Sequence, residues 1–555
     1  MNGTLHSMPT LSQLPTEIMN DIFVFLLDID AEANSLDKDC IAVSQVCQRW
    51  RAISVSLPVL WTKIPMLYPH WVFILLKRSS SRNIEIGFDP ASYHENRILM
   101  ALKIFKWLLT HHSHRISTFI LVDIPPKHLD LFLTIPLSCF PLLRTFWLEI
   151  AHDDNLEFQT FGIQRMLRRA IHLNTLRLPV VIDWHAHSKL NLCNLRKLFL
   201  VDNVTGSDPP NGADFFNGLK DLPSLEVLVL RDGQLPFSTG GIKEDARVHL
   251  ARLEDLAITD TLDCIQNFLR RVQLPSTVNM QLHFEVGENV DDVALQAALE
   301  EILGKFRHIG QWQCIQFTSW GNPDGYPKFV AWSGLTPNEW PNHQNYPSVD
   351  PKLGLTFDAP HLWTSINHMM FQFPSLMGCK DVEYLELIPS FPNEYLDSAD
   401  LIFSTEEIFR IFGAMPSLKT ISAETMNHIT PVLAAIVKPV TIEPGETQTT
   451  MSSVAFPALE SLQLVRFNLH SAHVKYQSPS LFYALRVRQQ AEKPISSVVF
   501  YDCKLPADTF PSRRELSQDD YDPWTNLEPE DVTKNLQIHS LDIRTIFYFY
   551  RCSFR

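Results

Sequence analysis

The chain has 555 residues, of which 45% are hydrophobic and 20% charged, a composition typical of a folded protein with several domains or one elongated domain. Its 47 Lys and Arg against 62 Asp and Glu give a net charge of −15 without a basic block, which argues against binding to nucleic acid or anionic membranes. Nine scattered cysteines and a polar start predict reduced thiols in an intracellular compartment, cytoplasm or nucleus. No apolar run approaches the roughly twenty residues that span a bilayer.

The segment from Leu14 to Ile64 predicts three short amphipathic helices. Pro15 suits a helix start, because its missing N–H is one that the first turn leaves unpaired, and Pro58 ends the second helix. Apolar side chains recur at helical spacing. They are Ile18, Ile22, Phe23 and Leu26 on the first helix, Val43, Val46, Cys47 and Trp50 on the second, and Leu60 and Trp61 at the start of the third. Such a small unit barely encloses a core, so an apolar excess is expected to face a partner.

The order Leu-Pro-x-Glu-Ile…Ile-Phe, Val-Cys-x-x-Trp-Arg and Leu-Trp resembles an F-box, in the version common in large fungal families. The resemblance implies a three-helix domain over residues 13–65 that docks on a Skp-type adaptor. The residues that would build or dock it are Leu14, Pro15, Ile18, Ile22, Phe23, Val46, Cys47, Trp50, Leu60 and Trp61. The insert at residues 28–39 is longer and more acidic than the shortest F-boxes carry. An ordinary helical hairpin is the alternative interpretation.

Residues 1–12 are expected to be flexible, and residues 66–115 to connect the F-box to the rest of the chain. The connection reads as helix, strand and helix, the last over Asn96–Thr110. His111, His112 and His114 follow it and invite a metal-site hypothesis. Histidines also favour a helix C-terminus through the macrodipole, and no acidic or cysteine partner stands at ligand spacing. We therefore predict neither a metal nor a cofactor here, and the same holds for the histidines of residues 183–187.

A repeated pattern, apolar-x-x-apolar-x-apolar, dominates the rest of the chain. It begins at Ile116, Leu143, Leu173, Leu195, Leu225, Leu253, Val382, Leu418, Leu459 and Ile495. The first six starts are separated by 27, 30, 22, 30 and 28 residues, which suits leucine-rich repeats, and the later intervals of 36, 41 and 36 require insertions. Connections with helical periodicity fit this interpretation, and a capping box is predicted from Ser404 to Glu407. Two blocks of degenerate repeats are predicted, at residues 116–286 and 375–504. The alternative is an irregular α/β domain whose strands share the pattern.

Residues 287–374 do not follow the pattern and are interpreted as an aromatic-rich insertion. Val293–Phe306 predicts a helix, and two strands at residues 312–317 and 328–332 predict a hairpin with a turn at residues 322–325. The tryptophans in this segment either form a recognition site or fill its small core. Residues 505–555 are interpreted as an acidic loop and a C-terminal segment, whose run Phe547–Tyr550 is a final strand or an error in the gene model.

Catalytic motifs are absent from the sequence. There is no G-x-x-x-x-G-K-[ST], G-x-G-x-x-G, H-E-x-x-H or G-x-S-x-G. The prediction is therefore a non-catalytic protein, although an active site assembled from distant residues leaves no such signature. A hydrolase or transferase hidden in residues 287–374 is the enzyme alternative.

The F-box resemblance, combined with the repeats, implies the substrate receptor of a Skp–cullin–F-box ubiquitin ligase. The fold class is α+β or α/β, with a three-helix F-box followed by a curved leucine-rich-repeat-like solenoid. In such repeats the strand residues between the buried ones face the concave surface, where a protein substrate would bind. These are Trp147, Glu149, Arg177, Phe199, Val201, Val229, Arg231, Thr259, Glu386, Gln463 and Tyr501. A scaffold that binds the adaptor without delivering a substrate is the alternative function.

Overall fold

A computed structural model describes most of the helices and strands of the chain. The described residues are 14–29, 39–66, 69–89, 95–125, 140–150, 170–179, 192–201, 211–231, 233–236, 247–287, 290–306, 312–319, 328–333, 351–358, 366, 369–370, 372–389, 404–413, 415–424, 426–438, 455–465, 481–501 and 536–539. The chain divides into two compact units, residues 1–256 with 270–275 and residues 257–269 with 276–555. The histidines of residues 183–187, the predicted hairpin turn, Trp320, Trp340 and Trp363 lie outside the described residues, as do 505–555 apart from one short strand.

The first unit opens with α1 (Thr16–Ile29), α2 (Asp39–Val43), α3 (Gln48–Ser56) and a 3₁₀ helix (Pro58–Trp61). The second predicted helix is therefore divided between α2 and α3. Cys47 adopts an extended backbone and its sulfur accepts the N–H of Trp50 at 3.4 Å, which caps α3. The break turns Val46 out to solvent, with 60% exposure.

Two crossover connections join the F-box segment to the repeats. Strand β1 (Lys63–Pro65) runs through α4 (Pro69–Arg78) to β2 (Ile84–Phe88), and β2 runs through α5 (Glu95–His112) to β3 (Ile116–Ile124). Both pairs of strands are parallel, as helix-connected neighbours usually are. The sheet of the first unit therefore begins at the end of the F-box segment.

The sheet of the first unit continues with one parallel strand from each repeated segment. The strands are β4 (Thr145–Ile150), β5 (Thr175–Leu178), β6 (Lys197–Leu200) and β7 (Val227–Arg231), with helix α6 (Gly212–Lys220) before β7. The last such strand, β9 (Asp255–Thr261), has its first two residues in the first unit and the others in the second. Phe146, Leu176, Leu198 and Leu228 are Cα partners on successive strands, and all are buried. The two-residue strands β8 (Val248–His249) and β10 (Val272–Gln273) pair with each other in parallel, in a separate sheet.

Eight strands of the repeated segments, β5, β6, β7 and β9 and four strands of the second unit, start in the same way. The N–H of the residue before the strand and the N–H of its first residue both donate to one backbone oxygen at the start of the preceding strand, at 2.7–3.1 Å. In the first unit the accepting residues are Arg144, Asn174, Arg196 and Glu226, and in the second they are Gln313, Glu383, Lys419 and Glu460. The first apolar residue of the pattern is buried just before this point, as Leu173 and Leu418 illustrate. We call this arrangement the shared-acceptor start.

The second unit contains a mixed sheet in which most neighbours are parallel. Its strands are β11 (Asn279–Glu285), β12 (Cys314–Ser319), β13 (Lys328–Trp332), β14 (Leu353–Asp358), β15 (Tyr384–Pro389), β16 (Thr420–Glu424), β17 (Ser461–Val465), β18 (Ser497–Tyr501) and β19 (Leu536–His539). The predicted hairpin is confirmed, because β12 and β13 pair antiparallel. The segment interpreted as an insertion nevertheless supplies strands to this sheet, since β14 pairs with β11 and β12 with β15 in parallel. Its tryptophans Trp312 and Trp332 are buried in the core.

Helices connect the strands of the second unit. They are α7 (Leu262–Arg271), which lies where the two units divide, α8 (Asp292–Phe306), α9 (Phe373–Met377), α10 (Thr405–Phe412), α11 (Met426–Val437) and α12 (Leu481–Gln490). The predicted capping box of α10 is confirmed. The Glu407 N–H donates to Ser404 Oγ at 3.2 Å, and the Ser404 N–H donates to Glu407 Oε2 at 3.0 Å.

A buried arginine holds the turn that precedes β17. Arg488 on α12 is 1% exposed, and its guanidinium donates to the carbonyls of Ala455, Phe456 and Leu459 at 2.8–2.9 Å. Phe456 has a φ of 56°, a left-handed conformation that disfavours large side chains. A charged group so deeply buried is stable only when its donors are matched by acceptors. The three hydrogen bonds therefore fix a turn that the backbone alone would not favour.

Replacing Arg488 with Met is expected to lower the free energy of unfolding by about 3 kcal/mol, because the carbonyls of the turn lose their buried donor. Urea unfolding of the full chain, followed by circular dichroism, measures the change. Arg486→Met is the matched control, since Arg486 is exposed on the same helix and its loss should cost less than about 0.5 kcal/mol. Equal stability of the two variants would show that the turn does not need the guanidinium.

Candidate interaction surfaces

The F-box segment presents an apolar stripe to solvent. Ile18 is 45% exposed, Ile22 36% and Phe25 63%, and they follow one another at helical spacing on α1. The opposite face of α1 buries Met19 and Phe23 against the other helices. A helix with two apolar faces uses one for its own core, and the other is left for a partner. Val46 adds a further 60% exposed side chain from the turn before α3.

The ten residues predicted to build or dock this domain divide between surface and core. Pro15, Ile18, Ile22, Val46 and Cys47 are exposed, and Leu14 and Trp50 are half-buried. Phe23, Leu60 and Trp61 are at most 1% exposed and cannot contact an adaptor without unfolding. Of the two predicted roles they can only build the domain, and the expectation that they dock the adaptor is corrected, because periodicity shows that residues share an apolar face without showing what covers that face. Phe25, which the prediction missed, could have been found from its position seven residues after Ile18.

Core contacts fix the geometry of the exposed stripe. The rings of Phe23 and Trp50 meet edge to face with centroids 5.2 Å apart, which joins α1 to α3. Trp61 Nε1 donates to the Ser54 carbonyl at 2.8 Å, which joins the 3₁₀ helix to α3. The guanidinium of Arg49 donates to the backbone oxygen of Leu14 and holds the start of the motif on α3. The motif residues at the core therefore act as supports for the surface.

A second surface lies on the sheet of the first unit. Trp147, Arg177, Phe199 and Val229 are Cα partners across four parallel strands and are all half-buried. Because alternate strand residues point to opposite faces, these four share the face away from the buried leucines. Ile120 extends the row on β3 and was missed, although its place in the first repeated segment corresponds to that of Trp147. We call these five residues the Trp147 row.

Arg177 is held within this row by two neighbours. Its guanidinium carbon lies 4.5 Å from the centroid of the Trp147 ring, and its Nη2 lies 2.6 Å from Glu149 Oε1. A cation over an indole face with a carboxylate at its edge is both positioned and neutralised. The row is therefore an apolar and aromatic strip with little net charge. Arg231, predicted for the same face, is exposed at the end of β7, whereas Val201 is buried.

The corresponding face in the second unit is buried and polar. Glu386, predicted to be accessible on the concave surface, is 2% exposed, which corrects that expectation. Gln316 Nε2 donates to its Oε2 at 2.7 Å, and Ser422 and Glu424 of the adjacent strand are at most 1% exposed. Burial raises the pKa of Glu386 to about 7, the Gln316 hydrogen bond opposes this, and the charge of Glu424 adds to it. This cluster is part of the interior of the unit.

The remaining predicted contacts are placed as follows. Gln463 is half-buried on β17 and accepts a hydrogen bond from the Tyr384 hydroxyl at 3.4 Å. Thr259 is half-buried on β9, in the second unit. Tyr501 ends β18, and its side chain lies outside the described residues. The structure thus brings Trp147, Glu149, Arg177 and Phe199 together in the first unit, and the other predicted residues do not join that cluster.

The histidines after α5 take part in aromatic contacts. The rings of Trp107 and His111 stack with centroids 4.9 Å apart, and His111 Nδ1 lies 2.8 Å from the Trp107 carbonyl. Across the residues that the structure describes, no three His, Cys, Asp or Glu side chains converge as a metal site would require. Within the same residues, no helix combines the length and apolar character needed to cross a bilayer.

Comparison with known proteins identifies the N-terminal segment. Residues 11–65 match the family model described as F-box-like, about a tenth of the chain. No curated protein sequence matches the chain. Among solved structures, the chain is similar to one in the crystal structure of a TLR13–ssRNA13 complex, with 11% sequence identity and a TM-score of 0.27. The match covers 70% of this chain and 43% of the other, and its low TM-score gives it no weight for fold or function.

The matched segment supports an F-box protein. F-box-like domains are typically adaptor or receptor modules rather than catalytic ones, and in general they bind Skp-type adaptors. The apolar stripe of α1 lies within the matched residues. The chain therefore combines an F-box-like domain with a large, mostly parallel sheet.

Stability is expected to depend on pH through Glu386. Its pKa is raised from 4.5 to about 7, so the folded state keeps a proton that the unfolded state loses between these values. Stability should thus fall as pH rises from about 4.5 to 7, by up to about 3 kcal/mol, and then level off. Glu386→Gln removes this loss, because the amide stays neutral and its oxygen can accept from Gln316.

Thermal melting of wild type and the Glu386→Gln variant at pH 5 and pH 7.5 checks this expectation. The melting midpoint of the variant should exceed that of wild type by more at pH 7.5 than at pH 5. Glu460→Gln is the control, since Glu460 is exposed and its replacement should leave the pH dependence unchanged. A pH-independent difference between wild type and E386Q would contradict the proposed proton uptake.

Proposed function

We propose that this protein is the substrate-recognition subunit of a Skp–cullin–F-box ubiquitin ligase. The exposed apolar stripe of Ile18, Ile22 and Phe25 is the observation that carries the proposal, because it lies in the F-box-like segment and is left uncovered by the helices around it. Docking on the Skp-type adaptor would bury it. The adaptor would in turn link the chain to a cullin.

In this proposal the strands of the repeated segments form degenerate leucine-rich repeats of a curved solenoid. Parallel pairing in register and the shared-acceptor start at eight of the strands support the assignment. The Trp147 row is the proposed substrate-binding face, together with Glu149 and Arg231. Aromatic side chains and arginine dominate binding energy at protein interfaces, and this row offers both on a rigid sheet.

In this proposal the protein promotes ubiquitin transfer by holding a substrate close to the conjugating enzyme. The F-box holds the receptor on the ligase, the Trp147 row holds the substrate, and a separate conjugating enzyme supplies activated ubiquitin. Bringing a substrate lysine close to the thioester converts a bimolecular encounter into an intramolecular one, which is a large part of such rate enhancement. No covalent step then involves a side chain of this protein.

Replacing Ile18 with Asp is expected to weaken binding to a Skp-type adaptor at least about thirtyfold, because it introduces a charge into the apolar stripe. Isothermal titration with purified adaptor measures the change. Ile171→Asp is the matched control, since Ile171 is 44% exposed and Ile18 45%. Leu14→Ala/Pro15→Ala tests the start of the motif in the same assay.

Adaptor binding that survives Ile18→Asp unchanged would remove the stripe from the proposed interface. Co-purification with a cullin then separates the two functional classes. A receptor recovers the cullin through the adaptor, whereas a scaffold outside the ligase binds the adaptor alone.

Substrate binding is tested by Trp147→Ala/Arg231→Ala. The double variant should bind the adaptor like wild type and lose most of the ubiquitinated proteins that co-purify with the wild-type complex, because both face side chains are truncated. Quantitative mass spectrometry of the co-purified proteins measures the loss. Tyr483→Ala is the control, as Tyr483 is 52% exposed on α12. An unchanged set of ubiquitinated proteins would place substrate binding elsewhere.

A further inference from the structure

Helix α5 carries a second apolar face in addition to the one it buries. Ala101, Leu102, Phe105, Leu108 and Leu109 are buried along one side. At 100° per residue, Met100 and Trp107 lie close together on the opposite side, and Met100 is 61% exposed. Seven residues separate these two side chains, about 10 Å along the helix axis. The helix is therefore apolar both toward the sheet and toward solvent.

Helix α4 continues this outer surface. Phe73 is 51% exposed and Ile74 40%, and the rings of Phe73 and Trp107 lie 5.0 Å apart. The contact joins the outer sides of α4 and α5 into one apolar patch of Phe73, Ile74, Met100 and Trp107. Exposed large apolar residues that cluster in this way mark interaction sites more often than single ones do. We call it the α4–α5 patch.

The surroundings of the patch are positively charged. Lys77, Lys103 and Lys106 are exposed on the two helices, and after its first residue, Glu95, helix α5 contains no Asp or Glu. Burial lowers the pKa of His112, and the nearby positive charges of Arg115, His114 and His111 lower it further. A basic rim of this kind is unusual in a chain with a net charge of −15. It selects for a partner with negative charge around an apolar centre.

The patch is also firmly connected to the F-box-like segment. The guanidinium carbon of Arg78, the last residue of α4, lies 4.4 Å from the centroid of Trp61. β1, which follows Trp61, pairs with β2 beyond α4, and the N–H of Glu85 donates to the Thr62 carbonyl at 2.9 Å. A partner held at the patch would be held at a fixed position relative to the F-box.

We propose that the α4–α5 patch binds an acidic amphipathic helix of a partner protein. Two turns of such a helix would place apolar side chains at i, i+3, i+4 and i+7 over Phe73, Met100 and Trp107, with its carboxylates facing Lys103 and Lys106. This site is distinct from the Trp147 row and from the α1 stripe. The proposal therefore does not rest on the proposed adaptor or substrate binding.

The charges around the patch favour an acidic helix over two other occupants, a second copy of the chain and nucleic acid. Two copies of the chain meeting at this patch would bring like charges together, which disfavours self-association. Nucleic acid would be held by few cations, and the apolar centre would gain nothing from phosphates. An acidic helix satisfies both the apolar centre and the basic rim.

The test uses the full-length protein and a fluorescently labelled synthetic helix with leucines at i, i+3, i+4 and i+7 and glutamates elsewhere. Fluorescence anisotropy should show binding that weakens with added salt. Met100→Glu should lower the affinity at least about tenfold, since it replaces an apolar side chain of the patch with a negative charge. Val293→Glu is the matched control, because Val293 is an exposed apolar residue of α8 and its replacement should leave the affinity unchanged.

Lys103→Glu/Lys106→Glu should also weaken binding and should favour a version of the helix with lysines in place of glutamates. The proposal is overturned if the M100E variant binds the peptide like wild type, if V293E loses as much, or if a scrambled peptide binds equally well. Loss of adaptor binding in M100E would also overturn it, by making the patch part of the adaptor interface. So would a wild-type dimer that M100E dissociates, or binding only to phosphatidylserine vesicles.

Discussion

The shared-acceptor start is the interaction on which the rest of the repeated region depends. One carbonyl receives the N–H groups of the residue before the next strand and of the first residue of that strand, at Glu226 in the first unit and at Glu383 in the second. The buried apolar residue before each such start and the outward residues after it then take equivalent places in these strands. The Trp147 row follows directly, because residues at equivalent places align across neighbouring strands. Substrate binding by this face would use an order that the backbone has already established.

The six-residue sequence pattern predicted well where the strands lie, but it did not predict which distant strands pair with each other. All ten segments that carry the six-residue pattern contain a strand in the structure, because a buried apolar alternation is a local signal. The pairing of β14 with β11 joins segments about seventy residues apart, and neither strand carries a sign of its partner. The segment interpreted as an insertion is therefore built into the sheet. Parallel strands are not joined by a tight turn, so no turn sequence between them indicates that they pair.

The exposure of individual side chains was the property that the sequence predicted least well. Glu386 occupies the strand position that corresponds to Trp147, yet one is buried and the other half-exposed. Alternation defines which face a side chain occupies, whereas exposure depends on what covers that face. The same limit explains Phe23 and Trp61, which belong to the motif but support it from inside. Arg488 left no signal at all, since a guanidinium that binds three backbone carbonyls looks like any surface arginine in sequence.

The shared-acceptor start also bears on how such a chain can change over evolutionary time. Each start involves only the strand before it, so the connection between two strands does not enter the hydrogen-bond pattern. Within each of the two blocks the intervals between successive segments range from 22 to 41 residues, so connections of different length are compatible with the same kind of start. Duplication or loss of one segment would leave its neighbours with equivalent donors and acceptors. A receptor built in this way can acquire a new recognition surface by gaining a segment, without redesign of those it already has.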